Sequence, residues 1–247
     1  MKKLFFAALL MVCPFTVVNA AELLSESMPV DSLNSSTLKV KTIKVKYLSE
    51  KDNWEPALYL NVGFNTMVGA PSDCSFRIWP SFEVGLGFKG NWEPFGKKNV
   101  WSVGFGIDWR NYRMGNDKYW YKDATGNAQL TPFMAGQTNC KNWLNVFSLQ
   151  VPVTYTHYFD KEQDWGVTLG GIVNFNTGAH ATRMFEFQDE EYEVETSSLR
   201  QRPVTIDALL MFSTPADLSI YCKYCPMEFF KDGAGYKMHQ LSFGIWF

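Results

Sequence analysis

Residues 100–111 read Val100-Trp-Ser-Val-Gly-Phe-Gly-Ile-Asp-Trp-Arg-Asn111, and this stretch decides the fold class. Large apolar side chains alternate in it with small or polar ones. Successive side chains of a β-strand point to opposite faces, so the stretch predicts a strand with one apolar and one polar face. The apolar face holds Trp101, Val103, Phe105, Ile107 and Trp109, and the other face holds Ser102, Gly104, Gly106, Asp108 and Arg110.

The same alternation recurs along most of the chain after residue 54, and helical periodicity is nearly absent. In the stretch 76–88 it places Arg77, Ser81 and Glu83 on the polar face. A further strand at 40–47, or hairpins within the long connections, would raise the number of strands to ten. The sequence therefore predicts an all-β fold of about eight antiparallel strands, at 57–66, 76–88, 100–111, 145–159, 165–177, 203–213, 218–228 and 236–247.

Three features favour lipid over water around the apolar faces. These faces run for about 9–11 residues, the length that a tilted strand needs to cross a bilayer. The opposite faces are too small and too polar to form the core of a soluble sandwich. Aromatic residues also gather near the predicted strand ends, as interfacial girdles do. The members of these predicted girdles are Trp54, Trp79, Trp101, Trp109, Tyr112, Tyr158, Phe159 and Trp165.

Long and short connections alternate along the chain. Transmembrane barrels have short turns on the periplasmic side and longer loops on the extracellular side. Two of the long connections contain hairpin patterns, one at 119–130 and one with arms at 183–187 and 191–195. The alternation therefore predicts an up-and-down barrel with long loops at 66–75, 114–143, 179–201 and 229–235 and short turns at 91–98, 160–164 and 214–217.

The first 20 residues have the pattern of a cleaved signal peptide. Lys2 and Lys3 precede an apolar run at 4–18, and Val18-Asn-Ala20 is a small-residue cleavage site. The alternative, a membrane anchor helix, needs about 20 apolar residues, and the run is shorter and contains Pro14. We therefore expect export, followed by a polar N-terminal extension at 21–53 and a barrel domain at 54–247.

The chain ends in a strand pattern, Leu241-Ser-Phe-Gly-Ile-Trp-Phe247, with an aromatic residue at the carboxy terminus. With the leader and the strand pattern, this ending resembles the small outer-membrane β-barrel domain proteins of Gram-negative bacteria. The resemblance covers residues 54–247 and implies residence in the bacterial outer membrane. It also implies contact with outer-membrane lipids and insertion by the barrel assembly machinery, which would read Phe243, Ile245 and Phe247 as its signal.

Five charged residues face the predicted lumen by register. An eight-stranded barrel is about filled by its side chains, so opposite charges inside it should pair. We expect this network to plug the lumen, and the alternative is a narrow ion path. Its members are Glu83, Asp108, Arg110, Asp207 and Lys223.

Four cysteines follow the predicted leader, in a compartment where disulfides persist. Cys74 and Cys140 lie near the loop ends of strands and form a candidate disulfide, with free or otherwise paired thiols as the alternative. Cys222 and Cys225 have the spacing of a redox or metal motif. In an extended strand, however, that spacing points the two sulfurs to opposite faces.

No catalytic, metal or cofactor site is predicted. The three histidines, His157, His180 and His239, are scattered along the chain, and neither His180 nor His239 has the histidine-serine spacing of a lipid A deacylase. A net charge of -2 gives no basic face for nucleic acid. We expect a non-enzymatic protein with a structural, adhesive or ligand-binding role through the loops at 114–143 and 179–201. A narrow pore and a membrane-embedded lipid hydrolase are the alternatives.

Overall fold

The computed structural model describes residues 54–247 except 73, 116, 161 and 217. The predicted signal peptide at 1–20, the extension at 21–53 and the candidate strand at 40–47 lie outside the described residues. No helix long and apolar enough to cross a membrane occurs in the described ranges. The strands are β1 (Trp54–Val68), β2 (Phe76–Trp92), β3 (Asn99–Met114), β4 (Lys118–Lys122), β5 (Ala128–Pro132), β6 (Thr138–Tyr158), β7 (Gly166–Phe187), β8 (Glu190–Ser197), β9 (Val204–Thr214), β10 (Leu218–Tyr224) and β11 (His239–Trp246).

Eight of these strands form a closed ring in the order β1-β2-β3-β6-β7-β9-β10-β11, in which every neighbouring pair is antiparallel. The ring closes between β11 and β1, where Gly244 lies opposite Gly63. Phe247 extends this pairing, because its backbone N–H donates to the Leu60 carbonyl at 2.8 Å. The prediction of an all-β, antiparallel fold is confirmed, and the ring contains eight strands.

The outer face of the ring is apolar and its inner face is polar. Phe88, Val103 and Leu169 point outward, each with more than half of its surface exposed. Glu83, Asp108 and Gln150, which alternate with such residues, point inward and are almost completely buried. A water-soluble protein of this size buries its large apolar side chains, so the distribution is the reverse of the usual one.

The strand connections differ at the two ends of the ring. At one end, hereafter the short-turn end, β2–β3, β6–β7 and β9–β10 are joined by short turns. At the other, the long-loop end, the connections contain the β4–β5 hairpin and the strand β8, which pairs with the outer part of β7. Both predicted hairpins therefore form, and neither adds a strand to the ring.

The β4–β5 hairpin turns at residues 123–127. The Asp123 carboxylate accepts hydrogen bonds from the Thr125 hydroxyl at 2.6 Å and from the Asn127 backbone N–H at 2.9 Å. These bonds lower the pKa of Asp123, with the Thr125 hydroxyl making the largest contribution. Gly126 has φ +84°, a left-handed conformation that glycine adopts without steric cost.

Three side-chain orientations differ from those predicted. Tyr158, predicted in an outer girdle, shares the inward register of Thr156 and lines the interior. The pairing of β2 with β3 is interrupted between Arg77 and Phe82, and this bulge turns Arg77 to the outer face instead of the lumen. Tyr112, predicted in an outer girdle, is buried inside the ring. It lies two residues from Arg110, and residues two apart on a strand share a face.

Candidate functional site

The five predicted lumen charges lie together in the middle of the ring. Glu83 comes from β2, Asp108 and Arg110 from β3, Asp207 from β9 and Lys223 from β10. All five are at most 1% exposed. Each occupies an inward position of its strand because the alternation of the ring strands is unbroken at this level.

Arg110 is the centre of the network. Its Nε lies 2.6 Å from Asp108 Oδ2 and 3.4 Å from Glu83 Oε2, and its Nη2 donates to Asp207 Oδ2 at 2.7 Å. Its Nη1 donates to Gln240 Oε1 at 2.8 Å. Strands β3 and β9 are not neighbours in the ring, so the contact with Asp207 crosses the interior.

Lys223 neutralises the other side of the network. Its ammonium group forms an ion pair with Glu83 and lies 3.8 Å from Asp108 Oδ1. The Asn61 amide also donates to Glu83 Oε1 at 2.9 Å, and the Tyr221 hydroxyl does so at 3.2 Å. Buried charges are tolerated only when they are paired and hydrogen-bonded, and this carboxylate meets both conditions.

An aromatic layer covers the network on the side of the short-turn end. The rings of Tyr59 and Trp246 stack with centroids 4.7 Å apart, and Tyr221 meets Trp246 edge-on at 6.0 Å. The Lys223 ammonium lies 5.1 Å from the Tyr221 ring centroid, which is cation–π range. Ionic and aromatic groups are therefore in direct contact inside the ring.

Beyond the aromatic layer, a cavity of about 280 Å³ lies at the short-turn end. Trp246 and Met211 are among its apolar groups, and Lys89, Thr154 and Thr168 are among its polar groups. The cavity is a vestibule: the aromatic layer and the charge network separate it from the long-loop end.

The long loops form an apolar cap at the other end of the ring, which the sequence analysis missed. Trp120 of β4 packs against Phe230, with centroids 5.3 Å apart, and Phe229 meets Phe230 edge-on at 4.9 Å. Backbone hydrogen bonds link the same segments, from Ala128 N–H to Ala234 O at 2.8 Å. The adjacent Phe229 and Phe230 in a predicted loop were the available signal, because apolar pairs in loops are usually buried.

The structure does not join Cys74 to Cys140. All four described cysteines are free thiols. Cys74 is buried in the apolar cap, whereas Cys140 is partly exposed near the start of β6, with its sulfur 3.8 Å from the Thr138 carbonyl oxygen. Burial raises the pKa of the Cys74 thiol to about 12, and the Asp117 carboxylate adds to this effect. Cys222 is exposed on the outer face and Cys225 is buried, so this pair does not converge.

The C-terminal assembly residues lie on the outer face of the ring, and the histidines do not form a cluster. Phe243 and Ile245 lie on the outer face of β11, and Phe247 follows them with 47% of its surface exposed. His157 and His180 are exposed and on different strands. In the described ranges, no group of three or more His, Cys, Asp or Glu side chains has a geometry that could hold a metal ion.

Comparisons of the chain with protein-family models, with curated proteins and with solved structures found no match. The charge network and the layers on either side of it can hold the ring strands together and block the passage of ions through the ring. The carboxylates of the network are engaged by Arg110 and Lys223.

Removal of the central guanidinium tests the role of the network. Among the described residues, Arg110→Ala leaves Glu83 and Asp108 with Lys223 as their ion-pair partner and leaves the buried Asp207 with none. We expect it to lower the free energy of unfolding by about 3–5 kcal/mol, the cost typical of breaking a buried ion pair. Urea titration followed by tryptophan fluorescence measures the change.

The matched control is Lys122→Ala, which removes a positive charge from the exposed side of β4. Its effect should stay within about 0.5 kcal/mol, as for other surface substitutions. Equal effects of the two substitutions would contradict a structural role for the network.

Thiol labelling tests the cysteine assignments. Without reductant, the unfolded protein should add maleimide at Cys74, Cys140, Cys222 and Cys225, because none is in a disulfide. In the folded protein, Cys74 should react far more slowly than Cys140, since it is buried and its thiol has a raised pKa. Peptide mass spectrometry identifies the labelled sites. A pair that labels only after reduction would show that a disulfide exists.

Proposed function

We propose that this protein is a bacterial outer-membrane β-barrel with a filled lumen, and that it acts structurally or by binding a ligand through its long loops. The observation that carries the proposal is the inverted ring: apolar side chains outside and a paired charge network inside. Lipid is the surroundings in which an apolar outer surface is stable, because it removes those side chains from water.

The height of the apolar outer surface supports this location. On β3 it extends from Trp101 to Trp109, which are eight residues apart. At about 3.3 Å per residue and a tilt of about 40°, this span is about 20 Å tall, close to the apolar band of outer-membrane barrels. We place the short-turn end in the periplasm and the long-loop end outside the cell.

The filled interior favours a structural or binding role over a pore. An ion crossing the ring would have to pass the apolar cap, the Arg110 network and the stacked Tyr59 and Trp246 rings. The cap and the aromatic rings are apolar. The charges of the Arg110 network are already paired with one another. A narrow pore therefore remains the second candidate, and the vestibule at the short-turn end is the only observation in its favour.

The loops offer the surface for an extracellular ligand. Strand β8 continues the wall of the ring above β9 and carries four glutamates, at 190, 191, 193 and 195. Arg183 of β7 lies over the Tyr119 ring at 3.8 Å and so connects this wall to the β4–β5 hairpin. The loops at 114–143 and 179–201 are thus one packed surface, suited to adhesion or to binding a partner.

The terminal strand supports insertion by the barrel assembly machinery. Phe243 and Ile245 face outward on the strand that closes the ring against β1. A factor that paired with β11 before closure would meet these side chains and Phe247 directly. We include this machinery and the outer-membrane lipids among the proposed partners.

A charge placed on the outer surface distinguishes lipid from water. Phe105 lies in the middle of the apolar band with 55% of its surface exposed. In a lipid-embedded barrel, Phe105→Lys should make the free energy of folding into phosphatidylcholine vesicles less favourable by about 2–4 kcal/mol. The matched control is Met134→Lys, on an exposed loop residue, which should change it by less than about 0.5 kcal/mol. If Phe105→Lys has no effect, the outer face is water-exposed and the proposal fails.

Conductance separates the filled barrel from the pore. The purified protein in planar phosphatidylcholine bilayers should give no steady current above that of protein-free bilayers, because three layers of side chains close the ring. If the wild-type protein instead gives a steady current and Arg110→Ala abolishes it, Arg110 is part of an ion path. That result would replace the structural role with transport.

A further inference from the structure

Two arginines lie side by side on the outer face of the ring, near the long-loop end. Arg77 of β2 is the direct cross-strand partner of Arg113 of β3. Arg77 is exposed and Arg113 is partly exposed, and the inward neighbours of Arg113, Tyr112 and Met114, are buried. The two guanidinium groups therefore project from the same patch of outer surface.

The backbone is built to hold this pair in place. The bulge in β2 begins directly after Arg77, and its last residue, Ser81, is buried. The Ser81 hydroxyl donates to the Arg77 carbonyl and accepts a hydrogen bond from the Arg113 backbone N–H at 2.7 Å. One hydroxyl group thus joins the backbones of both arginines. Without the bulge, the alternation of β2 would have turned Arg77 into the lumen.

Among the acidic side chains that the structure describes, none neutralises the pair. In the described part of the chain, neither arginine forms an ion pair. Arg113 instead lies over the Trp143 ring, 4.7 Å from its centroid. The nearest carboxylate in the same row of the sheet is Glu195, which is three strands from Arg113, about 14 Å at the usual strand spacing, and is bound to His180.

Like charges directly opposite each other on neighbouring strands repel, and an anion bound between or above them would offset this repulsion. Guanidinium groups suit phosphate in particular, because each can donate two parallel hydrogen bonds to its oxygens. The stacking on Trp143 fixes the plane of the Arg113 guanidinium and leaves its edge free to donate.

The position of the pair determines where that phosphate would lie. Moving toward the long-loop end, the apolar runs of β2, β3 and β6 end at Phe82, Trp109 and Phe147. Asn111 and Asn145 follow, joined by a 2.6 Å hydrogen bond, and the arginine row is next. The arginines therefore stand just above the band that we assign to the hydrocarbon layer.

We propose that Arg77 and Arg113 form a binding site for the phosphate of an anionic lipid headgroup in the outer leaflet. This inference rests on the proposed outer-membrane location. A shallow cleft of about 580 Å³ begins at Asn145 and is lined by Trp109, Asn145, Val146, Phe147, His180 and Glu195. Its exposed apolar side chains, Trp109 and Phe147, provide a surface for the acyl chains of the same lipid. Ile78 and Trp79, exposed beside Arg77, add apolar surface on the β1 side of the pair, where Trp79 packs against Phe64.

The test compares binding of two lipids that differ only in phosphate. The detergent-solubilised protein is titrated with lipid A, which is a phosphorylated glycolipid, and with the same lipid after chemical removal of its phosphates. Native mass spectrometry measures the bound fraction. We expect Arg77→Gln/Arg113→Gln to weaken binding of lipid A about tenfold or more. Binding of the dephosphorylated lipid should not change.

Two further variants separate the site from general charge. Lys122→Gln/Arg200→Gln removes two positive charges from exposed loop positions and should leave lipid A binding unchanged. Arg77→Lys/Arg113→Lys keeps the charge but loses the parallel hydrogen bonds, so its affinity should lie between those of the wild type and the glutamine variant. Equal losses in the loop variant and the Arg77→Gln/Arg113→Gln variant, or no loss in either, would overturn the proposal.

The lipid A binding test can fail independently of the vesicle-folding test of membrane location. Folding into vesicles of phosphatidylcholine alone requires no anionic lipid, so it reports on the barrel and not on the site. Normal folding with unchanged lipid A binding in the glutamine variant overturns the site only. Saturation of the site by inorganic phosphate, with lipid A unable to compete, would assign it to a free anion and also overturn the lipid proposal.

Discussion

The ion pairs of Arg110 are the interaction on which the rest of the structure depends. A closed ring of eight strands leaves an interior just wide enough for side chains, so whatever faces inward must be compatible with near-complete burial. Arg110 engages Asp108 on its own strand, Glu83 on the neighbouring strand and Asp207 across the ring. Lys223 supplies the second positive charge. Apolar residues could fill the same space, but they would not link strands that are not neighbours.

The layers on either side follow from this polar centre. The charge network is closed toward the short-turn end by Tyr59, Tyr221 and Trp246, whose rings contact one another and the Lys223 ammonium. Toward the long-loop end it is covered by the apolar cap that includes Trp120 and Phe230. Charges enclosed between apolar layers interact more strongly than charges in water, so the cap also strengthens the pairs beneath it.

The same inversion explains the outer face. Once the polar residues of each strand face inward, the intervening positions must all face outward, and on this chain they are large and apolar. The bulge of β2 is one exception: it changes the phase of that strand at the upper edge of the apolar band, and β7 shifts its phase opposite Phe147. The β2 bulge moves Arg77 from the interior, where it would have added an unpaired charge, to a place beside Arg113.

The faces of the ring strands and the hairpin turns could be predicted from local sequence. The inward positions of Glu83, Asp108, Arg110, Asp207 and Lys223 follow from alternation, because a strand has only two faces. The hairpins also had local signals, such as the Thr125-Gly126-Asn127 turn. The cap had almost none, since Trp120, Leu199 and Phe230 lie far apart in the chain and meet only when the loops fold over the ring.

The sequence by itself determined the class of fold and the face on which each of the five lumen charges lies, and it predicted about eight ring strands. These are properties of local periodicity, and a period of two is visible within a single strand. Only the tertiary structure decided which charges pair, that Cys74 and Cys140 are separate, and that Arg77 joins Arg113 outside the ring. Each of these depends on contacts between distant segments or on one bulge, and a shift of one residue turns a side chain to the opposite face.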